Sequence, residues 1–172
     1  MPSYRPLCLL FASITLLVGS ALTVVAQQHP RGPSTSEERE RAVRVASALQ
    51  TDPLSPDKAD RQWLMVWLIQ VPDISVSMCP AVHGDLGDEK KSEYPGAIVA
   101  AEMGAEAAFV ITHPDRARDK LVMSAAGAEG AVNAYQAIRT KDPQYRVKEL
   151  DDATQKREQG KLADYVASTK CK

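Results

Sequence analysis

The chain is predicted to fold as an all-α single domain, a bundle of five to seven helices that follows a cleaved signal peptide. Three observations predict it. Aromatic residues make up only 5% of the chain while alanine is abundant, a balance that suits close-packed helices; strands favour β-branched and aromatic side chains. Apolar residues recur at three- and four-residue spacing through most of the chain beyond residue 36. Proline, glycine and aspartate then cut that periodicity into pieces of helical length.

The first 26 residues have the order of a secretory signal peptide. Arg5 provides a positive start, Leu7 to Val18 an apolar core, and Gly19 to Ala26 a small-residue stretch ending Val24-Val25-Ala26 before Gln27. The product is therefore expected to be exported, to the periplasm or the medium. Cys8 sits near the start of the apolar run, where lipid attachment would discard the leader's own core. The uncharged run from Leu7 to Gln28 is long enough to stay in the bilayer as an uncleaved anchor, but the small residues before Gln27 suit a peptidase. No second spanning stretch is expected. Residues 27–35, interrupted by Pro30, Gly32 and Pro33, read as a flexible lead-in, and residues 36–172 as the helical domain.

Lys and Arg number 21 against 22 Asp and Glu, and Arg5 leaves with the leader. A nearly balanced surface of alternating charge suggests neither nucleic acid nor an anionic membrane as partner. Of the three cysteines, Cys8 is lost on cleavage. Cys79 and Cys171 remain, an even pair in an oxidising compartment, and are expected to form a disulfide.

The elements follow in order. Ser34 as N-cap and Glu37 three residues on suggest a capping box, with Ala42, Val45, Ala46 and Leu49 giving a helix over about 36–49. Asp52 to Pro56 breaks it; Ser55 can cap a second helix with Pro56 at its first position. Trp63 to Ile69 is apolar around nearly the whole circumference, which predicts a helix at the centre of the bundle. Pro72 stops it. Asp73 to Met78 alternates polar with apolar, but without a partner strand it reads as an extended or helical connector. Pro80 to Glu93 is the longest loop candidate. Pro95 opens an alanine-rich helix over 96–111. After His113-Pro114-Asp115, an amphipathic stripe runs Ala117, Leu121, Ala125, Ala128, Val132, Tyr135, Ile138; Gly127 and Gly130 either weaken that helix or divide it. Beyond Asp142-Pro143, Val147, Leu150, Ala153 and Thr154 support another helix closed by Gly160. Leu162, Tyr165 and Val166 support a last one, with Cys171 at its end.

Candidate chemistry is sparse. His29, His83 and His113 fall in separate loops or helix boundaries, without a His-x-x-x-His or Cys-x-x-Cys spacing, so neither metal nor cofactor is expected. Cys79 to His83 lacks the second cysteine of a haem attachment site. Glu102 and Glu106 lie one helical turn apart, as do Asp115 and Asp119, and both pairs read as solvated faces. No glycine-rich phosphate loop or serine elbow is present. Trp63 and Trp67, one turn apart, suit core packing better than a ligand site. Ala131, Tyr135 and Pro143 match the end of a tetratricopeptide hairpin. Arg118 and Asp119 break the match upstream, and Pro114 and Pro143 are 29 residues apart where the repeat has a longer period.

As a whole, residues 37 to 171 resemble small, uncharacterised exported helical proteins of bacteria. The resemblance rests on Val71-Pro72-Asp73-Ile74-Ser75-Val76 with Cys79 following. It rests also on Gly127-Ala128-Glu129-Gly130 leading to Ala134-Tyr135-Gln136-Ala137-Ile138, and on Gly160-Lys161-Leu162-Ala163-Asp164-Tyr165-Val166. It implies export and a helical fold and carries no activity. The expectation is a non-enzymatic exported domain that binds a protein or peptide in a groove between helices. One alternative is a small periplasmic enzyme whose site assembles only in the fold, from Glu102 or Glu106 with His83 or His113. Another is an immunity-type protein that neutralises an exported toxin.

Overall fold

Small side chains decide which helices occupy the centre. The computed structural model describes residues 31–55, 57–84, 86, 93–169 and 171, and among them the fold is all-α, with seven helices and no strand. In chain order these are α1 (Ser36–Thr51), α2 (Lys58–Gln70), α3 (Pro80–His83), α4 (Glu93–Thr112), α5 (Lys120–Lys141), α6 (Lys148–Glu158) and α7 (Leu162–Ser168), with a 3₁₀ turn at Pro114–Arg116. The leader and residues 27–30 of the lead-in lie outside the described residues.

The most extensive packing is between α4 and α5, and next between α1 and α4. Glycine permits both approaches. A Cβ on Gly130 of α5 would stand 2.5 Å from Ala105 Cβ and 2.6 Å from the Ala101 carbonyl oxygen. On another face of α4, a Cβ on Gly104 would meet Leu64 at 3.1 Å and Ala46 at 3.3 Å. Helix α5 therefore runs unbroken through Gly127 and Gly130, and its backbone contact with α4 offsets their weak helix propensity. Residues 94–112 of α4 are long and apolar enough to cross a membrane by length and composition, which the sequence reading did not anticipate; in this fold more than half of that stretch is buried against its neighbours.

Helix α2 corrects an expectation. Its apolar circumference predicted the bundle centre, yet only Leu64, Trp67 and Leu68 are buried. Ile69 is 80% and Val66 44% exposed. The central positions need close backbone approach on several sides. Alanine and glycine in α4 and α5 allow that, and the two tryptophans of α2 do not.

Helix ends also move by a residue or two. The capping box of α1 uses Thr35 and Glu38: Glu38 N–H donates to Thr35 Oγ1 at 3.2 Å and Thr35 N–H to Glu38 Oε2 at 2.9 Å. Ser34, the expected cap, is engaged elsewhere. Its N–H and hydroxyl both donate to Asp73 at 2.8 Å, and Arg39 donates to the same carboxylate. Asp57, not Ser55, caps α2 by accepting from Ala59 N–H. At the end of α6, Gly160 takes φ +68°. Its N–H reaches Arg157 O and that of Lys161 reaches Lys156 O, a Schellman closure.

The connector 71–79 carries no regular hydrogen-bonded structure and buries Val71, Ile74 and Cys79. It leads directly into α3, so the loop expected from Pro80 begins with a helical turn that has proline in its first turn. Tyr135 of α5 pins the start of α6, donating to Asp151 at 2.9 Å and accepting from Val147 N–H at 3.2 Å. Cys79 and Cys171 form a disulfide with a Cα–Cα distance of 5.1 Å. It fastens the chain beyond α7 to the connector.

Candidate functional site

Glu102 and Glu106 are buried, each only 1% exposed, which corrects their reading as a solvated face. Their helix explains the difference. From Glu93 to Thr112 there is no lysine or arginine, so neither acid has a basic neighbour one turn away on its own helix. Both instead face α5 at Gly127, where a Cβ would meet Glu106 Cγ at 3.2 Å and Glu102 Cγ at 3.3 Å. A side chain at 127 would occupy the space of their methylene stems.

The connector supplies their hydrogen bonds. Cys79 N–H donates to Glu102 Oε1 at 2.7 Å. Ser77 donates to Glu106 through its N–H at 2.5 Å and its hydroxyl at 3.3 Å. His83, on α3, brings Nε2 to 3.6 Å from Glu102 Oε2, and neither of these two atoms has a hydrogen-bond partner. Burial pushes the Glu102 carboxyl up to about 7, against the Cys79 amide, which favours the ionised form; the neighbouring Glu106 raises it further. Burial likewise raises Glu106, opposed by its bonds from Ser77.

A carboxyl beside an imidazole is a proton-transfer pair in principle. Here Glu102 Oε1 and both oxygens of Glu106 accept from the connector, only Glu102 Oε2 is turned to the imidazole, and neither acid lines the surface clefts among the described residues. The chemistry that the arrangement performs is to hold an extended segment against α4 without strand pairing. Of the candidate partners, the fold brings His83 to Glu102 and leaves His113 about two turns beyond Glu106. There His113 stacks on Phe109 at 4.5 Å, exposed. His29 lies outside the described residues. Asp115 and Asp119 are exposed as expected, and Asp119 caps α5 by accepting from Val122 N–H. Among the described residues no three His, Cys, Asp or Glu side chains are grouped to hold a metal ion.

The raised carboxyls set a pH dependence. A folded-state pKa above the unfolded value means that stability is fullest below about pH 4.5 and is lost as pH rises through about 7. For Glu102 the difference corresponds to roughly 3 kcal/mol, and Glu106 acts in the same direction. Glu38 and Asp73 are held low by hydrogen bonds and act oppositely below their unfolded values. They are too solvated to match Glu102. The urea midpoint is expected to fall between pH 5 and pH 8. Glu102→Gln keeps an acceptor for Cys79 N–H and removes the charge, so it should flatten that fall and exceed the parent in stability at pH 8. An unchanged slope in the variant would refute the assignment.

Two of the surface clefts among the described residues are larger than about 300 Å³. One, of about 460 Å³, is polar and lies between α1 and α5. Its amides are already engaged: Asn133 donates to Gln50 at 3.0 Å, and Arg157 donates to both Asn133 and Gln136. The other, of about 340 Å³, lies along α2 and is lined by Trp63, Val66, Trp67 and Gln70 with Arg31 and Glu38. Trp67 is core, as predicted. Trp63 stacks on it at 5.6 Å with 17° between planes, and Arg41 covers Trp63 at 4.1 Å. Sequence reasoning missed this cleft because it assigned all of 63–69 to the interior.

No protein-family model matches the chain, and no curated protein or solved structure matches it significantly.

Proposed function

We propose that this chain is an exported, non-enzymatic helical domain that binds a protein or peptide partner along the outer face of α2. One observation carries the proposal. A core-like apolar helix leaves Val66 and Ile69 in solvent, beside a cleft floored by Trp67 and edged by Trp63. Large apolar side chains grouped on one exposed stripe mark interaction surfaces, whereas scattered ones do not. The enzyme alternative has less support, since its best acids are buried away from the surface clefts and hold the connector backbone.

A photo-crosslinking residue placed at Ile69 tests the proposal in cells, with one at exposed Gln155 as control. A discrete adduct from position 69 alone is expected, and the tagged protein should be recovered from the exported fraction with Gln27 as its first residue. Ile69→Glu should abolish partner capture while changing folding stability by less than about 0.5 kcal/mol, as for an exposed position. Identical labelling from both positions, or none from 69, would refute it.

A further inference from the structure

The polar cleft between α1 and α5 has an ordered hydrogen-bonding surface, separate from the α2 face. Its lining carries no formal charge: Ser47, Gln50 and Thr51 of α1 stand with Asn133, Gln136 and Thr140 of α5. Arg157 of α6 sets the direction of the amides. A guanidinium only donates, and Arg157 donates to Asn133 Oδ1 and Gln136 Oε1. Both amides therefore keep their oxygens on Arg157 and leave their NH2 groups for other partners, an orientation dictated by the network. Asn133 passes that order on by donating to Gln50 Oε1 at 3.0 Å, and Gln50 Nε2 reaches Ala46 O at 3.2 Å. One N–H of Asn133 and one of Gln50 remain. Both N–H groups of Gln136 and the Ser47 hydroxyl make no hydrogen bond among the described residues. Thr51 and Thr140 donate to carbonyls of their own helices at 3.1 Å, which leaves their oxygens as acceptors.

The charges nearest the cleft are already paired. Lys141 and Asp52, next in sequence to Thr140 and Thr51, pair at 2.6 Å, and Arg157 pairs with Glu129 at 3.5 Å. A phosphate or carboxylate would find no unpaired cation in the lining. Among the described residues Ala137 is the one apolar side chain there, too small to seat the apolar side chains of a peptide. What suits the cleft is a neutral ligand rich in acceptor oxygens. A carbonyl oxygen brings acceptors without a donor of its own, and so matches the surplus of amide N–H groups. At about 460 Å³ the cleft is within the size range of small-ligand sites. We infer that it binds a neutral acetamido sugar. The acetamido carbonyl accepts from Gln136 Nε2 and Asn133 Nδ2, ring hydroxyls donate to Thr51 and Thr140, and a C–H face lies over Ala137. No aromatic ring lines the cleft to stack on the sugar, so affinity rests on hydrogen bonds and a Kd of about 1 mM is expected.

Nuclear magnetic resonance titration of the isotope-labelled protein with N,N′-diacetylchitobiose tests this directly, because side-chain amides are observed one by one. The resonances of Gln50, Asn133 and Gln136 should shift saturably with a midpoint of about 1 mM, while that of exposed Gln62 on α2 stays in place. Gln136→Glu keeps an oxygen for Arg157 and exchanges the donor pair for an acceptor. It should leave the fold intact and weaken binding by about ten-fold or more. Cellobiose, which offers hydroxyls without a carbonyl, should bind more weakly, and inorganic phosphate should leave these amides unmoved. The absence of a saturable shift, or an unchanged midpoint in Gln136→Glu, would overturn the inference. So would cellobiose binding as tightly as the acetamido sugar, or phosphate moving the same amides at lower concentration.

Discussion

Gly130→Ala is expected to destabilise the protein by about 2 kcal/mol and to lower its melting temperature by roughly 6–8 °C, although alanine is the better helix former. The propensity gain is about 1 kcal/mol. Against it stands a new methyl at 2.5 Å from Ala105 Cβ and 2.6 Å from the Ala101 carbonyl oxygen. One of those neighbours is backbone, which cannot swing aside as a long side chain would. The two central helices must separate, and overpacking of this kind costs more than propensity returns. Gly96→Ala provides the control. It lies in the first turns of α4 with nothing within 4 Å of the new Cβ, so the propensity term acts alone and stability should rise by up to about 1 kcal/mol. Thermal melts of the two variants should therefore move in opposite directions. A rise at both positions would mean that α4 and α5 are not in backbone contact.

That contrast bears on what was legible in the chain. The helices were, because periodicity and punctuation are local: each segment carries its own apolar stripe, and proline or glycine marks its end. Which helix lies at the centre was not legible by the same means. The apolar circumference of α2 and the alanine-rich face of α4 both suggest burial. Only the bulk of Trp63 and Trp67 against the small residues of α4 and α5 decides between them, and that is a question of how closely backbones approach. The buried acids failed for a related reason. Two glutamates one turn apart ordinarily mark a wet face, and their ligands here, the Ser77 and Cys79 amides, lie more than 20 residues away in the chain. One local signal did exist: α4 has no lysine or arginine to pair with them. Acids without basic neighbours, in a helix otherwise made of alanine and large apolar residues, point inward.

Replacing both Cys79 and Cys171 by serine is expected to remove about 4–5 kcal/mol of stability by the chain-entropy account, because the cross-link closes a loop of 92 residues of sequence separation. The loss should not fall evenly over the fold. The disulfide joins the connector to the chain beyond α7, so the tail has the most to lose in order. The connector keeps three hydrogen bonds to Glu102 and Glu106. Hydrogen exchange in the double serine variant should accelerate first in α7, with the amides of Ser77 and Cys79 slower to respond and the α4–α5 pair protected until global unfolding. Residue 79 belongs to both devices, its sulfur in the cross-link and its amide on Glu102. Removing the disulfide and altering Glu102 should therefore combine non-additively, with a coupling on the order of 1 kcal/mol in a double-mutant cycle. Strict additivity would show that the sulfur and the carboxylate hold the connector independently. Peptide mapping that found both thiols free in the native protein would remove the cross-link from the account altogether.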